Sequence, residues 1–314
     1  MTSRDFYHEF EANFRGSREE IIARLQVYLP FLRPFLEDAT QPPVVADLGC
    51  GRGEWLELVG EHGFQAVGVD LDDGMLDDCF KRSLPARKSD AVLFLRSLAD
   101  SSQSVVSGFH IAEHLPFEVL QTLIGEAHRV LRPGGLLILE TPNAENLDVG
   151  TLGFHMDPTH QKPLPPGLLS FLPRYDGFVR SKVIRLQENK KLANASSVRL
   201  IDVFRGVSPD YAVVAQKSAS ETFLKRFDEP FDMNYGLTLD TLSNSFEEGL
   251  RQRLQSAEDR SRYNEERIGQ LERQLHEFAD YQQRIVALYE STSWRVTKPL
   301  RLASRLAAGA KSRL

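Results

Sequence analysis

Between Val44 and Gln216 short apolar runs alternate with stretches of helical spacing, which predicts a parallel sheet with helices on both faces. Strands are expected near residues 44–49, 65–70, 104–111, 135–141, 178–186 and 211–216, and the Asp90 region supplies a short strand or its end. Helices should start near Glu54, Asp73, Pro116 and Pro166, while Leu131-Arg132-Pro133-Gly134-Gly135 reads as a helix stop followed by a turn. Ahead of the sheet, Phe6, Phe10 and Phe14, then Ile21, Leu25, Tyr28 and Leu32, recur at helical spacing. One or two amphipathic helices over residues 3–37 follow, jointed at Arg15-Gly16-Ser17 with Ser17 as N-cap.

After Pro230 the pattern changes. Leu250, Leu254, Ala257, Ile268, Leu271, Leu275, Phe278 and Ile285 occupy two alternating heptad positions, a coiled-coil seam interrupted by Ser261, Asn264 and Gln282. The surrounding residues are densely charged, which favours a protruding oligomeric coil, dimer or trimer, over one helix folded back on the domain. The expected organisation is a helical cap at 1–40, an α/β domain at 41–220, a linker at 221–240, a coiled-coil stalk at 241–292 and a basic amphipathic tail at 293–314.

Charge refines this picture. The net charge is −6, yet residues 291–314 hold Arg295, Lys298, Arg301, Arg305, Lys311 and Arg313 with no acid, so the tail carries +6 and the rest −12. An acidic body argues against nucleic acid as a partner. The tail interleaves its cations with Trp294, Val296, Leu300, Leu302 and Leu306, a composition suited to peripheral contact with an anionic membrane or to docking on a protein. No apolar run reaches the roughly 20 residues of a membrane span, and the first ten residues lack the basic start and apolar core of a signal peptide. Two cysteines make neither a disulfide framework nor a metal cluster, and neither is expected to be catalytic. Cytoplasmic chemistry, with no metal, is the expectation.

The strongest chemical signal is Asp47-Leu48-Gly49-Cys50-Gly51-Arg52-Gly53, directly after a predicted strand and opening a helix at Glu54. Glycines here bend the turn tightly and bring backbone N–H groups against a ligand. A nicotinamide-type dinucleotide site wants a third glycine where this chain has Glu54, so a phosphate at that helix start faces a carboxylate, and a cationic ligand is admitted instead. Asp70 ends the next strand at the place of a ribose-binding acid, whereas Asp72 or Asp73 suits a plain helix cap. Glu113 and His114 follow the fourth strand, on the side where ligands bind in open α/β sheets. His110, inside that strand, reads as a packing histidine. Residues 154–166, rich in His, Asp and Pro, form a long loop over a strand end, and such loops are seldom ordered without purpose.

This ordered series resembles class I S-adenosylmethionine-dependent methyltransferases, with a Rossmann-like sheet. The resemblance implies cofactor binding by Asp47, Gly49, Gly51, Gly53, Asp70 and Glu113, and by Asp90 as an acceptor from the adenine amino group. The leader Phe14-Arg15-Gly16-Ser17-Arg18-Glu19 and the loop Asp157-Pro158-Thr159-His160 are similar to those of methyltransferase domains that terminate bacterial O-antigen polysaccharides, over about residues 5–217. That likeness adds Arg15 to the cofactor set. Ser293-Trp294-Arg295-Val296-Thr297-Lys298-Pro299-Leu300-Arg301 is similar to a segment found in cell-surface polysaccharide glycosyltransferases, which implies a glycosyltransferase partner. No kinase signature is present, so a sugar hydroxyl on a polysaccharide or lipid-linked glycan is the expected acceptor. A neutral hydroxyl needs a base: His160 first and His114 second, oriented by Asp157 or Glu113. A phosphate acceptor served by Lys162 and Arg174 stays open. So do a small-molecule or protein acceptor and a non-catalytic scaffold that recruits glycosyltransferases.

Overall fold

The computed structural model of the protein describes residues 16–37, 39–195 and 197–311, with side chains to residue 305. Phe6, Phe10, Phe14 and Arg15 lie outside the described residues. Helix α1 (Arg18–Leu25) starts where the sequence places it, at a capping box: Glu20 N–H donates to Ser17 Oγ at 3.2 Å, and Ser17 N–H donates to Glu20 Oε2 at 2.9 Å.

Seven strands follow: β1 (Val44–Leu48), β2 (Gln65–Asp70), β3 (Ala86–Lys88), β4 (Gln103–Phe109), β5 (Leu131–Pro142), β6 (Arg180–Leu186) and β7 (Asp210–Gln216), in the order β3-β2-β1-β4-β5-β7-β6. They alternate with α2 (Glu54–Glu61), α3 (Asp73–Lys81), α4 (Ala91–Ser97), α5 (Phe117–Val130), α6 (Pro166–Tyr175) and α7 (Leu200–Arg205). Because successive strand residues point to opposite faces, the apolar runs supply two cores at once. Val45, Val105, Leu136 and Ile138 face Trp55, Leu58, Tyr28 and Phe31. Ala46, Val106, Leu137 and Leu139 face Leu120, Leu123 and Ile124 of α5 and Leu169 of α6.

Three features depart from the expected pattern. First, the sheet is mixed, not parallel throughout: β7 enters between β5 and β6 and runs antiparallel to both. Tyr211–Ala215 is buried on both faces, and an unbroken apolar run carries no sign of strand direction. Second, β5 begins at Leu131, directly after α5, with a register shift against β4 between Gln103 and Val105. Third, residues 221–240, expected as a linker, carry Phe227 and Phe231 into the first core and Leu237 into a satellite cluster with Val203, Val207 and Leu242. The short helices there, Glu221–Lys225 and Asp228–Asp232, are too brief to show a period.

Helix α8 (Leu239–Glu290) runs for 52 residues, followed by α9 (Thr292–Val296) and α10 (Lys298–Lys311). Two compact units divide between Glu247 and Glu248. In the second, the seam residues Leu250, Leu254, Ile268, Leu271, Leu275 and Phe278 are all exposed on the single chain. Pro299 stands in the first turn of α10, where its missing N–H costs nothing. The Arg301 guanidinium stacks on Trp294, 3.6 Å from the ring centroid. Among the described residues no helix is long and apolar enough to cross a membrane.

Candidate active site

The glycine loop and four strand ends meet at one edge of the sheet. Gly49, Gly51 and Gly53 all have positive φ, and the requirement is strictest at Gly53 (φ +79), where an added Cβ would stand 2.7 Å from Leu84 Cδ1 and 2.9 Å from Cys79 Sγ. Asp70 at the end of β2 ties the loop to the sheet: its Oδ2 accepts from Gly51 N–H and its Oδ1 from Asp72 N–H, each at 2.9 Å. Asp72, not Asp70, caps α3, accepting from Met75 N–H at 3.0 Å. Asp47 is buried and accepts from Ser107 Oγ at 2.7 Å.

Asp90 stands one strand further out as the N-cap of α4, its Oδ1 accepting from Val92 and Leu93 N–H at 2.9 Å. That cap uses one carboxylate oxygen. Glu54 is no bare charge at the start of α2: Arg52 Nε lies 2.9 Å and Arg18 Nη1 3.7 Å from its Oε1. The helix start is therefore closer to neutral than its sequence suggests, with Arg18 also paired to Glu57.

Beside this loop lies a cleft lined by Asp47, Gly49, Glu54, Trp55, His110 and Glu140, with Ile21, Arg24 and Leu25 of α1 completing its wall. The leader helix is thus part of the site. Tyr28, wholly buried against Trp55 and Phe109, donates its hydroxyl to Glu140 Oε2.

His110 sits at φ +56 just beyond β4, its Nδ1 3.2 Å from Glu113 Oε1 and its Nε2 3.6 Å from Glu140 Oε1. Burial pushes its basicity down, but hydrogen bonds with Glu113 and Glu140 outweigh it and hold the imidazole well above the usual histidine range. Because 39% of the side chain still meets the open cleft, water screens part of that effect. Asp210, at the start of β7, is raised to about 6, chiefly by burial and against the pull of His110. His110, Glu140, Tyr28 and Asp210 are functional candidates that the sequence reading missed or took for packing. The strand-end rule that picks out Glu113 applies equally to Glu140.

Glu113 is buried beneath the cleft, not exposed within it. Its Oε1 meets His110 and its Oε2 accepts from Thr141 Oγ1 at 2.9 Å. Burial pushes its carboxyl up, but the His110 contact and charge prevail and lower it.

The loop at 154–166 folds onto this point. Gln161 N–H donates to Glu113 O at 2.8 Å, Tyr211 Oη donates to Leu164 O at 2.6 Å, and Phe154 and Leu164 are buried. His160 and His114 meet edge to face, with ring centroids 4.7 Å apart.

The hydrogen bonds fix both tautomers. His160 Nδ1 lies 2.6 Å from Phe154 O, which only accepts, so Nδ1 donates there and Nε2 is the nitrogen left to carry the lone pair of the neutral ring. Thr159 Oγ1 donates to Asp157 Oδ1 at 2.6 Å and must then accept from His114 Nδ1 at 2.8 Å, which leaves the His114 Nε2 lone pair free as well. Burial, foremost, lowers the His114 pKa and keeps that ring neutral. Asp157 Oδ2 lies 3.9 Å from His160 Nε2, placed to steady an imidazolium once it forms. The structure thus brings His114, His160 and Asp157 together. Neither carboxylate oxygen of Glu113 is hydrogen-bonded to a base candidate; both are taken by His110 and Thr141.

A family described as a methyltransferase domain matches residues 18–174. A protein of Mycolicibacterium smegmatis named as a probable S-adenosylmethionine-dependent methyltransferase is 30% identical over 134 residues, 43% of this chain and 51% of that protein. The ubiquinone biosynthesis O-methyltransferase of Idiomarina loihiensis is 32% identical over 104 residues, 32% of this chain and 42% of that one. The matched part spans about half the length of these curated relatives or less. The crystal structure of a SAM-dependent methyltransferase from Archaeoglobus fulgidus superposes with a TM-score of 0.60 at 32% identity, over 68% of this chain and the whole of that one.

Proposed function

This chain belongs to the methyltransferase-domain family, and on that footing we propose that it is an S-adenosylmethionine-dependent O-methyltransferase that caps the terminal sugar of a bacterial cell-surface polysaccharide, the O-antigen, and so ends chain growth. The observation that carries the reading is the docked 154–166 loop, which sets the His114 and His160 imidazoles edge to face beside the strand ends that border the glycine loop. Their free lone pairs suit a neutral hydroxyl, which must lose a proton, and not a phosphate, which need not. Lys162, the cation a phosphate reading would use, lies over the Phe117 ring at 4.8 Å, and Arg174 Nε donates to Ser170 O at 3.3 Å.

The cofactor fits the residues present. The Gly49–Gly53 turn holds three glycines at positive φ, and the carboxylate of Asp70, the proposed ribose acceptor, is fastened to it through Gly51 N–H. Asp47, Asp90 and the leader residue Arg15 complete the proposed cofactor set. Bound there, S-adenosylmethionine supplies a methyl group on a cationic sulfur. Glu113, beneath the cleft, holds His110 in its wall and accepts the loop through its carbonyl, so its part is to position rather than to touch. His160 Nε2 takes the acceptor proton while Asp157 faces the charge that forms, and the loop excludes water. The likeness of Asp157-Pro158-Thr159-His160 and of the tail to polysaccharide-processing proteins supports a glycan acceptor. Mass spectrometry of polysaccharide chain ends tests it: one added methyl group per chain, present only with the protein and S-adenosylmethionine, is expected. Unmodified ends from a protein that binds the cofactor would remove the glycan reading.

The exposed heptad seam of α8 supports a homo-oligomer, dimer or trimer, and the basic tail supports a cytoplasmic protein held at an anionic membrane or on a polysaccharide glycosyltransferase. Removing residues 291–314 should leave transfer to soluble glycan fragments intact and abolish flotation with anionic vesicles at low salt. If the full chain does not float, the lipid contact is wrong and only the protein-docking role of the tail survives.

A further inference from the structure

Glu113, His114 and His160 each offer one donor atom within 4.8 Å of the other two. Two imidazoles and a carboxylate are the ligand set of an open zinc site, with a fourth position left for an exchangeable group. Zinc bonds of about 2.0–2.1 Å at tetrahedral angles need donors roughly 3.4 Å apart, and the three donors already lie within 4.8 Å of one another.

The surroundings are those of ligands, not of stray surface groups. A metal-binding imidazole commonly spends its other ring N–H on an oxygen, which fixes the tautomer and the ring's direction. Both histidines do this here, His160 on Phe154 O at 2.6 Å and His114 on Thr159 Oγ1 at 2.8 Å. Thr159 is oriented in turn by Asp157 at 2.6 Å. Glu113 is buried, and each of its oxygens accepts one hydrogen bond and keeps a second lone pair. Asp157 Oδ2, 3.9 Å from His160 Nε2, adds a further negative charge. Glu113 and His114 lie in one short helical turn, Ala112–His114, and the Gln161 N–H to Glu113 O bond fastens the His160 loop to it.

We infer that Glu113, His114 and His160 form a binding site for one divalent cation of the zinc class. Imidazole donors select zinc or cobalt over magnesium or calcium. The ion takes the Nε2 lone pairs that a base would use, so it inhibits methyl transfer. The inhibition rests on the base reading proposed above; the binding does not.

The test uses the full-length protein, stripped with a chelator and titrated with Co²⁺ as a spectroscopic probe. Visible ligand-field bands should saturate at one Co²⁺ per chain and vanish on adding Zn²⁺, and Mg²⁺ should not displace them. His114→Ala and His160→Ala should each weaken Co²⁺ binding about tenfold or more, with circular dichroism and S-adenosylhomocysteine binding unchanged. His160→Gln serves if the alanine variant misfolds. Absence of bands in excess Co²⁺, or bands of equal affinity in both histidine variants, overturns the cation site. Either outcome leaves the base reading to be judged separately, by transfer in chelator.

Discussion

His160→Ala is expected to lower methyl transfer about a hundredfold or more, the usual scale for losing a general base, while S-adenosylmethionine affinity stays where it was. The two effects separate because His160 belongs to the 154–166 loop, and its hydrogen bond and ring contacts are to Phe154 and His114, not to the glycine turn or Asp70. Truncating a ring with 12% of its surface exposed also loosens the packing on Phe154. His160→Gln, which keeps most of the volume and offers no basic nitrogen, therefore serves as the companion variant. Both should be slow. Full turnover in His160→Ala together with its loss in His114→Ala would move the base to His114, whose ring leaves Nε2 free of hydrogen bonds to the protein among the described residues.

Asp70→Ala should lose roughly ten- to a hundredfold in S-adenosylmethionine affinity, since removing a charged acceptor from a buried hydroxyl costs about 1.5–3 kcal/mol. The carboxylate also accepts from Gly51 and Asp72 N–H, so its removal loosens the cofactor turn as well. Asp70→Asn keeps one carbonyl acceptor in the same place and should lose less. Calorimetric titration reads the difference, and unchanged affinity in Asp70→Ala would withdraw the ribose assignment.

The glycine turn, Asp70 and the strand frame were legible because each is local: a strand's apolar run, a turn needing positive φ, an acid at a strand end. The cap at Ser17 was legible for the same reason. What escaped depends on distant partners. His110 lies at the end of an apolar strand and reads as core, yet a positive φ turns it among Glu113, Glu140 and Asp210, which come from three separate stretches of chain. Tyr28 shows in sequence only as one residue of an amphipathic face, and its pairing with Glu140 spans 112 positions. β7 gave no sign of its antiparallel course, and Phe227 and Phe231 sat in helices too short to display a period. Glu54 disfavours a phosphate in the sequence, but Arg52 within the motif and Arg18 well outside it neutralise part of its charge.

The most direct measurement is an equilibrium titration of the wild-type chain with S-adenosylmethionine, repeated in the presence of excess NAD. Saturable binding at one site per chain, unaffected by NAD, is the predicted result. Failure to bind S-adenosylmethionine, or its displacement by NAD, would contradict the assignment of the Gly49–Gly53 turn and Asp70 to a methyl donor.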